Sequence, residues 1–331
     1  MTNNGRLEGH NGYAILTQQL DLPLPVGERI DVSFLHKSFC LAGLPIRRPK
    51  DSFFSRTDDR FALTINSRKL ALPGGGLFDT GVPWGAKARL LIVWMSTQAK
   101  DPNRVAGDRW LEIGRIREWL ASIGIKPNGD AIAATKEQLI RLSFASFDMV
   151  WRENGLDLFK GDQLVDGAAF DAGDLAHYAT GAMDKVRWPT GILMSTRAYD
   201  RFSKDAIPIP TQRLREISHS AMAIDTFVYL CYKLPQVPKG ETQLVPWRDL
   251  IASFGSKEAP SLFRANFSNS IATALNAYPE AKVDMTDEGL VLHHSDPAEL
   301  RQAFISVALP DTGKARRQLR NRTKRKLTEG T

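Results

Sequence analysis

The sequence predicts an α+β chain of two tandem winged-helix domains, mostly helical with short β-hairpins, followed by a disordered basic C-terminal tail. Three observations predict it. One order of elements (helix, short helix, turn, longer helix, hairpin) occurs twice. The chain is 43% hydrophobic and 24% charged, the composition of a globular protein with a core, and its 331 residues suit two domains. The formal charge of +7 resides in residues 301–331, which hold nine Lys/Arg against Asp311 and Glu329. These features divide the chain into a flexible arm (1–30), a first domain (31–186), a second domain (187–296) and the tail (297–331).

The elements follow in order. Residues 1–30 are polar and turn-rich, with no basic region leading into an apolar one, so no secretory signal is expected. Val32 to Pro49 is an apolar segment closed by Arg47, Arg48 and a proline. Phe61 to Leu72 alternates like a strand and stops at Pro73 and three glycines, a turn. Ala86 to Gln98 is apolar almost all round and predicts a buried helix. Ile116, Trp119, Leu120 and Ile123 form the stripe of an amphipathic helix closed by Gly124. Thr135 and Gln138 form a capping box that opens a helix to about Phe147, with Ile140, Phe144 and Phe147 inward. Asp148 to Trp151 and Leu156 to Val165 then predict a hairpin around residues 152–155.

In the second domain Gly191 to Met194 is a short strand candidate. Leu214 to Leu234 has apolar residues at spacings of three and four, which predicts one long helix stopped by Pro235 and Pro238. Pro246 fits a first helical position, followed by a short helix through Trp247, Leu250, Ile251 and Phe254 and closed by Gly255. Pro260 opens a helix to about Tyr278 with Phe263, Phe267, Ile271 and Leu275 inward, and a hairpin over Ala281–His293 follows. Trp119 and Trp247 are expected to be core anchors.

Chemistry is mostly excluded by what is missing. In the Gly81–Ala88 segment Ala86, not lysine, follows the second glycine, and no hydroxyl follows Lys87, so it is not a phosphate-binding loop. No metalloprotease, paired C-x-x-C or G-x-S-x-G motif occurs, and the adjacent His293 and His294 point to opposite faces of a strand. No catalytic residue, metal site or cofactor is expected, and the chain is read as a non-enzyme. Cys40 and Cys231 lie in apolar stretches, as buried thiols of a cytoplasmic protein do. The longest apolar runs, such as Leu90 to Met95, are far below the ~20 residues of a membrane span.

Nucleic acid is the partner that these charges fit. The tail's Lys314, Arg316, Arg317, Arg320, Arg322, Lys324, Arg325 and Lys326 are eight cations in thirteen residues with no acid, suited to nonspecific phosphate contact. The helix after Pro260 has no acid up to Pro279, and its outward face carries Arg264, Asn266, Asn269 and Thr273. Arginine pairs with guanine and asparagine with adenine in the major groove. The corresponding helix of the first domain offers Lys136 and Arg141. The hairpins offer Arg152 and Lys160, or Lys282, to the DNA backbone.

Several segments look familiar together. FLHKSFCLAGLPIRRP (Phe34 to Pro49), LPGGGLFDTGVPWGAKARLLIVWMSTQA (Leu72 to Ala99), WLASIGIKPNGD (Trp119 to Asp130), EQLIRL (Glu137 to Leu142), SAMAIDTFVYLCYKLP (Ser220 to Pro235) and the later FG and YPEAKV appear in one order. Through them the chain resembles the plasmid-encoded RepA replication initiator family, with its RepA C-terminal-type domain. The resemblance implies a protein that binds repeated sites in double-stranded plasmid origin DNA, opens adjacent DNA and helps recruit the host replication initiator and replicative helicase. It implies no catalytic residue. One stretch departs from the family's pattern: residues 128–135 have Asp130 and alanines where basic residues often stand. A winged-helix transcriptional repressor, or a nuclease or primase, are the rival readings, and the sequence leaves monomer or homodimer open.

Overall fold

A computed structural model describes residues 32–297, except 58–60, 74, 102, 106, 154–155 and 255–259. The expected arm and the basic tail beyond residue 297 lie outside the described residues, as does Gly255. The apolar run from Val32 divides into β1 (Val32–His36), buried along its length, and the short helix α1 (Lys37–Leu41). Two antiparallel strand pairs follow, β2 (Phe53–Thr57) with β3 (Phe61–Asn66) and β4 (Lys69–Ala71) with β5 (Leu77–Asp79). The helix α2 (Gly85–Lys100) is buried from Ala88 through Ala99, as its largely apolar composition predicts, and it takes Arg89, Ser96, Thr97 and Gln98 into the interior with it. β6 (Trp110–Glu112) leads into α3 (Ile116–Ser122), whose Trp119 meets Trp94 of α2 edge-on at 5.9 Å.

The next helix corrects the expected capping box. α4 (Gly129–Phe144) is capped by Asn128, whose Oδ1 accepts the Ala131 amide hydrogen at 2.8 Å. Asparagine is the stronger cap, so the helix starts upstream of Thr135. Thr135 sits inside it and donates to the Ala131 carbonyl. Phe147 falls in β7 (Ser146–Glu153), which pairs with β8 (Leu156–Gln163). This hairpin is the one predicted, but it extends the β2–β3 pair into a four-stranded antiparallel sheet, β2-β3-β7-β8.

β9 (Val165–Ala168), α5 (Asp174–Ala179), β10 (Gly191–Met194), α6 (Thr196–Asp205) and β11 (Ala206–Pro210) follow. The expected long helix from Leu214 is two helices, α7 (Thr211–Glu216) and α8 (Ala221–Lys233). Polar residues break it: Ser218 Oγ donates to the Gly124 carbonyl, and Ser220 Oγ accepts the Ala223 amide hydrogen as a new N-cap. The apolar spacing runs through the break because both pieces bury the same side.

Pro246 ends a strand rather than opening a helix. β12 (Thr242–Pro246) leads directly into α9 (Trp247–Phe254), then come α10 (Pro260–Ala277), β13 (Val283–Met285) and β14 (Gly289–His293). β12 is an edge strand, where a missing N–H is tolerated.

Two three-stranded sheets share one connectivity. In the first, α2, β6, α3 and α4 precede β9 and β10, and the sheet order is β6-β10-β9. In the second, α8, β12, α9 and α10 precede β13 and β14, and the order is β12-β14-β13. Both central strands begin with a glycine opposite the last residue of the first strand: Gly191 opposite Glu112, Gly289 opposite Pro246. A Cβ at Gly191 would run into Trp110, and one at Gly289 into the Val245 carbonyl. The first unit carries the β7–β8 hairpin as an insertion between α4 and β9. β1 pairs with β11, and a continuous hydrophobic core runs through both units.

Candidate nucleic-acid interface

α10 exposes Arg264, Asn266 and Asn269 as the sequence predicts, but not Thr273. Phe263, Phe267, Ile271 and Ala274 are buried, and Leu275 is half-buried. Leu262, Arg264, Ala265, Asn266, Asn269, Ala272 and Asn276 are exposed. Arg264 is positioned by a neighbour, its guanidinium carbon lying 5.2 Å from the centre of the Trp247 ring. Trp247 is itself fixed in the core, with its indole N–H donating to the Thr286 carbonyl at 3.0 Å, so the hairpin β13–β14 orients the ring that orients the arginine. The Thr273 hydroxyl donates to the Asn269 carbonyl at 2.9 Å and the Ser268 hydroxyl to the Arg264 carbonyl at 2.7 Å. Thr273 is half-buried and keeps its oxygen as an acceptor. The alanines between the asparagines let a partner approach the helix closely.

α4 does not match its counterpart. From Ala131 through Phe144 none of its residues is exposed. Arg141, expected on the outward face, is 3% exposed. Its guanidinium donates to Glu137 at 2.8 and 3.1 Å and to the Val82 carbonyl at 3.0 Å. The segment leading into α2 covers this side of the helix, with the Trp84 amide donating to Gln138 Oε1 at 2.8 Å. Gly81 makes the fit possible: its φ is +75°, and a Cβ there would meet the Arg141 guanidinium. This gives the LFDTGVPWG segment a structural role. Lys136 also turns inward. Its ammonium donates to the Val186 carbonyl, and burial holds its pKa below the usual lysine value against the opposing pull of Asp174 and Asp184.

The hairpin cations are exposed. Lys160 stands 4.7 Å from the centre of the Trp151 ring on the β7–β8 sheet, and Arg152 lies at the far end of the same hairpin. Lys282 is exposed just before β13, on the unit that carries α10. Lys314, Arg316, Arg317, Arg320, Arg322, Lys324, Arg325 and Lys326 lie outside the described residues. The structure therefore brings Arg264, Asn266, Asn269, Thr273 and Lys282 onto one unit, buries Arg141 and ties the half-buried Lys136 to the Val186 carbonyl. The placement of Arg264 on Trp247 was not apparent in the sequence, because the two residues are far apart along different helices.

His293 ends β14 and His294 follows it, and their rings diverge. His293 Nε2 meets Asp284 at 2.7 Å and His294 Nδ1 meets the Val237 carbonyl at 2.7 Å. Among the described residues no three His, Cys, Asp or Glu side chains are grouped as a metal site, and no helix is long and apolar enough to cross a membrane.

The family model described as plasmid encoded RepA protein, RepA_C, matches residues 82–249. No curated protein sequence matches the chain. Among solved structures, the chain is similar to the crystal structure of RctB domains 2-3, with a TM-score of 0.44 and 11% identity over 75% of this chain and 92% of that one. Selenomethionine derivatives of RctB domains 2 and 3 give a TM-score of 0.43 and 12% identity over 76% and 95%. With its model spanning α2 to the first residues of α9, about half of the chain, the chain belongs to the RepA_C family of plasmid-encoded RepA proteins, the replication initiator family that its sequence segments resemble.

Proposed function

We propose that this protein initiates replication of its plasmid by binding repeated sites in double-stranded origin DNA, with α10 as the base-reading helix of a winged-helix unit. The observation that carries the reading is the exposed surface of the acid-free α10, where Asn266 and Asn269 are neighbours one turn apart and Arg264, on the other flank of the helix, is aligned on Trp247. A helix of about 10–12 Å diameter enters a major groove about 12 Å wide. Lys282 and the hairpin β13–β14 then lie beside the backbone as a wing.

The first unit has the same connectivity, and we read it as a second winged helix whose α4 is covered. Its task is to place the second unit and to offer Arg152 and Lys160 to phosphates, not to read bases. The tail adds nonspecific affinity. Opening of adjacent DNA and recruitment of the host initiator and helicase follow the family reading, and no catalytic step is assigned to the chain. Binding to the DNA flanking its gene, with excess random competitor, tests this for the full chain and for residues 1–300. Retention of a directly repeated segment by both supports the proposal. Binding that competitor abolishes, or that the full chain alone displays, refutes it.

A further inference from the structure

An open cleft of about 600 Å³ runs along α10. One wall is the helix, with Phe263, Asn266 and Ser270. The opposite wall is the segment between α1 and β2, which contributes Arg47, Lys50 and Asp51. Arg47 and Lys50 are exposed, and Arg48 turns away to within 4.0 Å of Glu137. Two cations and one acid of this segment therefore face the same space as Asn266.

The segment is rigidly mounted. The Arg89 guanidinium donates to the Leu44 carbonyl at 2.5 Å and to the Pro45 carbonyl at 3.1 Å. The Gly85 amide donates to the Pro45 carbonyl at 2.9 Å, and Arg56 donates to the Leu44 carbonyl at 3.0 Å. Pro45 and Pro49 stand on either side of Arg47 and fix φ at both places, and Lys50 follows Pro49 directly. The cations stand at a set place beside the helix, so little conformational entropy is lost when they meet a ligand.

We propose that the Arg47–Lys50 turn is a second DNA-contacting element, which holds the phosphate backbone bordering the groove that α10 enters. The proposal rests on the reading of α10 as the recognition helix. A docked helix nearly fills the major groove, so the bordering phosphates pass immediately beside it, over the mouth of this cleft. Contacts of this kind position a protein without reading sequence.

The test uses the full chain and its Arg47→Ala/Lys50→Ala variant. Binding is measured over a salt series on a duplex carrying the repeated origin segment and on a random duplex of equal length. The expected result is a salt slope shallower by about two on both duplexes, at ~0.9 per neutralised phosphate, with the preference for the repeat retained. Arg264→Ala should do the reverse, losing the preference with little change in slope. An unchanged slope in the double variant, with a wild-type circular dichroism spectrum, overturns the proposal. So does a charge-reversed R47E/K50E chain that binds random DNA as wild type does. A wild-type chain without preference for the repeat overturns the α10 reading instead, and the slope on random DNA still answers for the turn.

Discussion

Arg89 of α2 meets Asp225 of α8 through two hydrogen bonds of 2.6 Å, with both side chains 5% exposed. The pair joins the first helix of one three-stranded unit to the first helix of the other. The same guanidinium binds the carbonyls of Leu44, Pro45 and Gly85, so one buried arginine organises both units and the turn beside α10. Gly43 leaves room for the carboxylate, since a Cβ there would run into it.

Breaking this pair should be costly. Asp225→Ala leaves a buried cation uncompensated and is expected to lower stability by ~3–5 kcal/mol. Replacing both partners with apolar residues, as in R89M/D225L, should recover part of that loss. Recovery stays incomplete because the carbonyls of Leu44, Pro45 and Gly85 each lose a charged donor. Urea unfolding of the three variants checks this, and a double variant as weak as Asp225→Ala would contradict it.

Arg141 should behave as a structural residue. Arg141→Ala removes the donor to Glu137 and the Val82 carbonyl and is expected to cost ~1–3 kcal/mol in stability. The salt slope of DNA binding should not move. A shallower slope with unchanged stability would return Arg141 to the interface.

Arg264 should act on specificity. Arg264→Ala is expected to cost ~1–3 kcal/mol on the repeated site and little on random DNA. Equal losses on both, in a competition assay, would remove its base-reading role.

Burial lowers the His36 imidazole to about 4 from 6.5, against the upward pull of Asp205 and with Lys37, Arg201 and Lys160 adding to the fall. The folded chain therefore stays neutral there while the unfolded chain takes up a proton below about pH 6.5. Stability from this site is full above that pH and is lost as pH falls toward 4, by ~1.4 kcal/mol per unit. His36→Asn keeps an acceptor for the Ser38 amide and removes the titration. Its urea midpoint should fall less than that of wild type between pH 7 and pH 5, and equal falls would show that another group is responsible.

Deleting residues 314–326 removes eight cations and should flatten the salt slope on every duplex, by ~0.9 for each phosphate that the tail neutralises. The preference for the repeat should survive. If that preference disappears with the tail, sequence reading lies outside α10.

The sequence by itself determined the strongly patterned elements, among them α2, α3, α9, α10 and the β7–β8 hairpin, and their order. The spacing of Phe263, Phe267 and Ile271 made α10 amphipathic and set which residues face out. Trp119 and Trp247 were legible as core anchors, and both are 5% exposed. Where local polar groups compete with a helix the reading slipped, at Asn128 and at Ser218 to Ser220, because apolar spacing continues through a break that a hydroxyl or amide makes.

Only the tertiary structure decided what covers each face. α4 has an apolar stripe and a polar side as α10 does, yet the segment through Gly81 and Trp84 closes over it and buries Arg141. Arg47 and Lys50 come beside Asn266 although more than two hundred residues separate them. The β7–β8 hairpin joins β3 and not β6. Periodicity reports which side of an element is apolar. It carries no information about which distant segment packs on the other side, because that depends on long-range contacts that form when the whole chain folds.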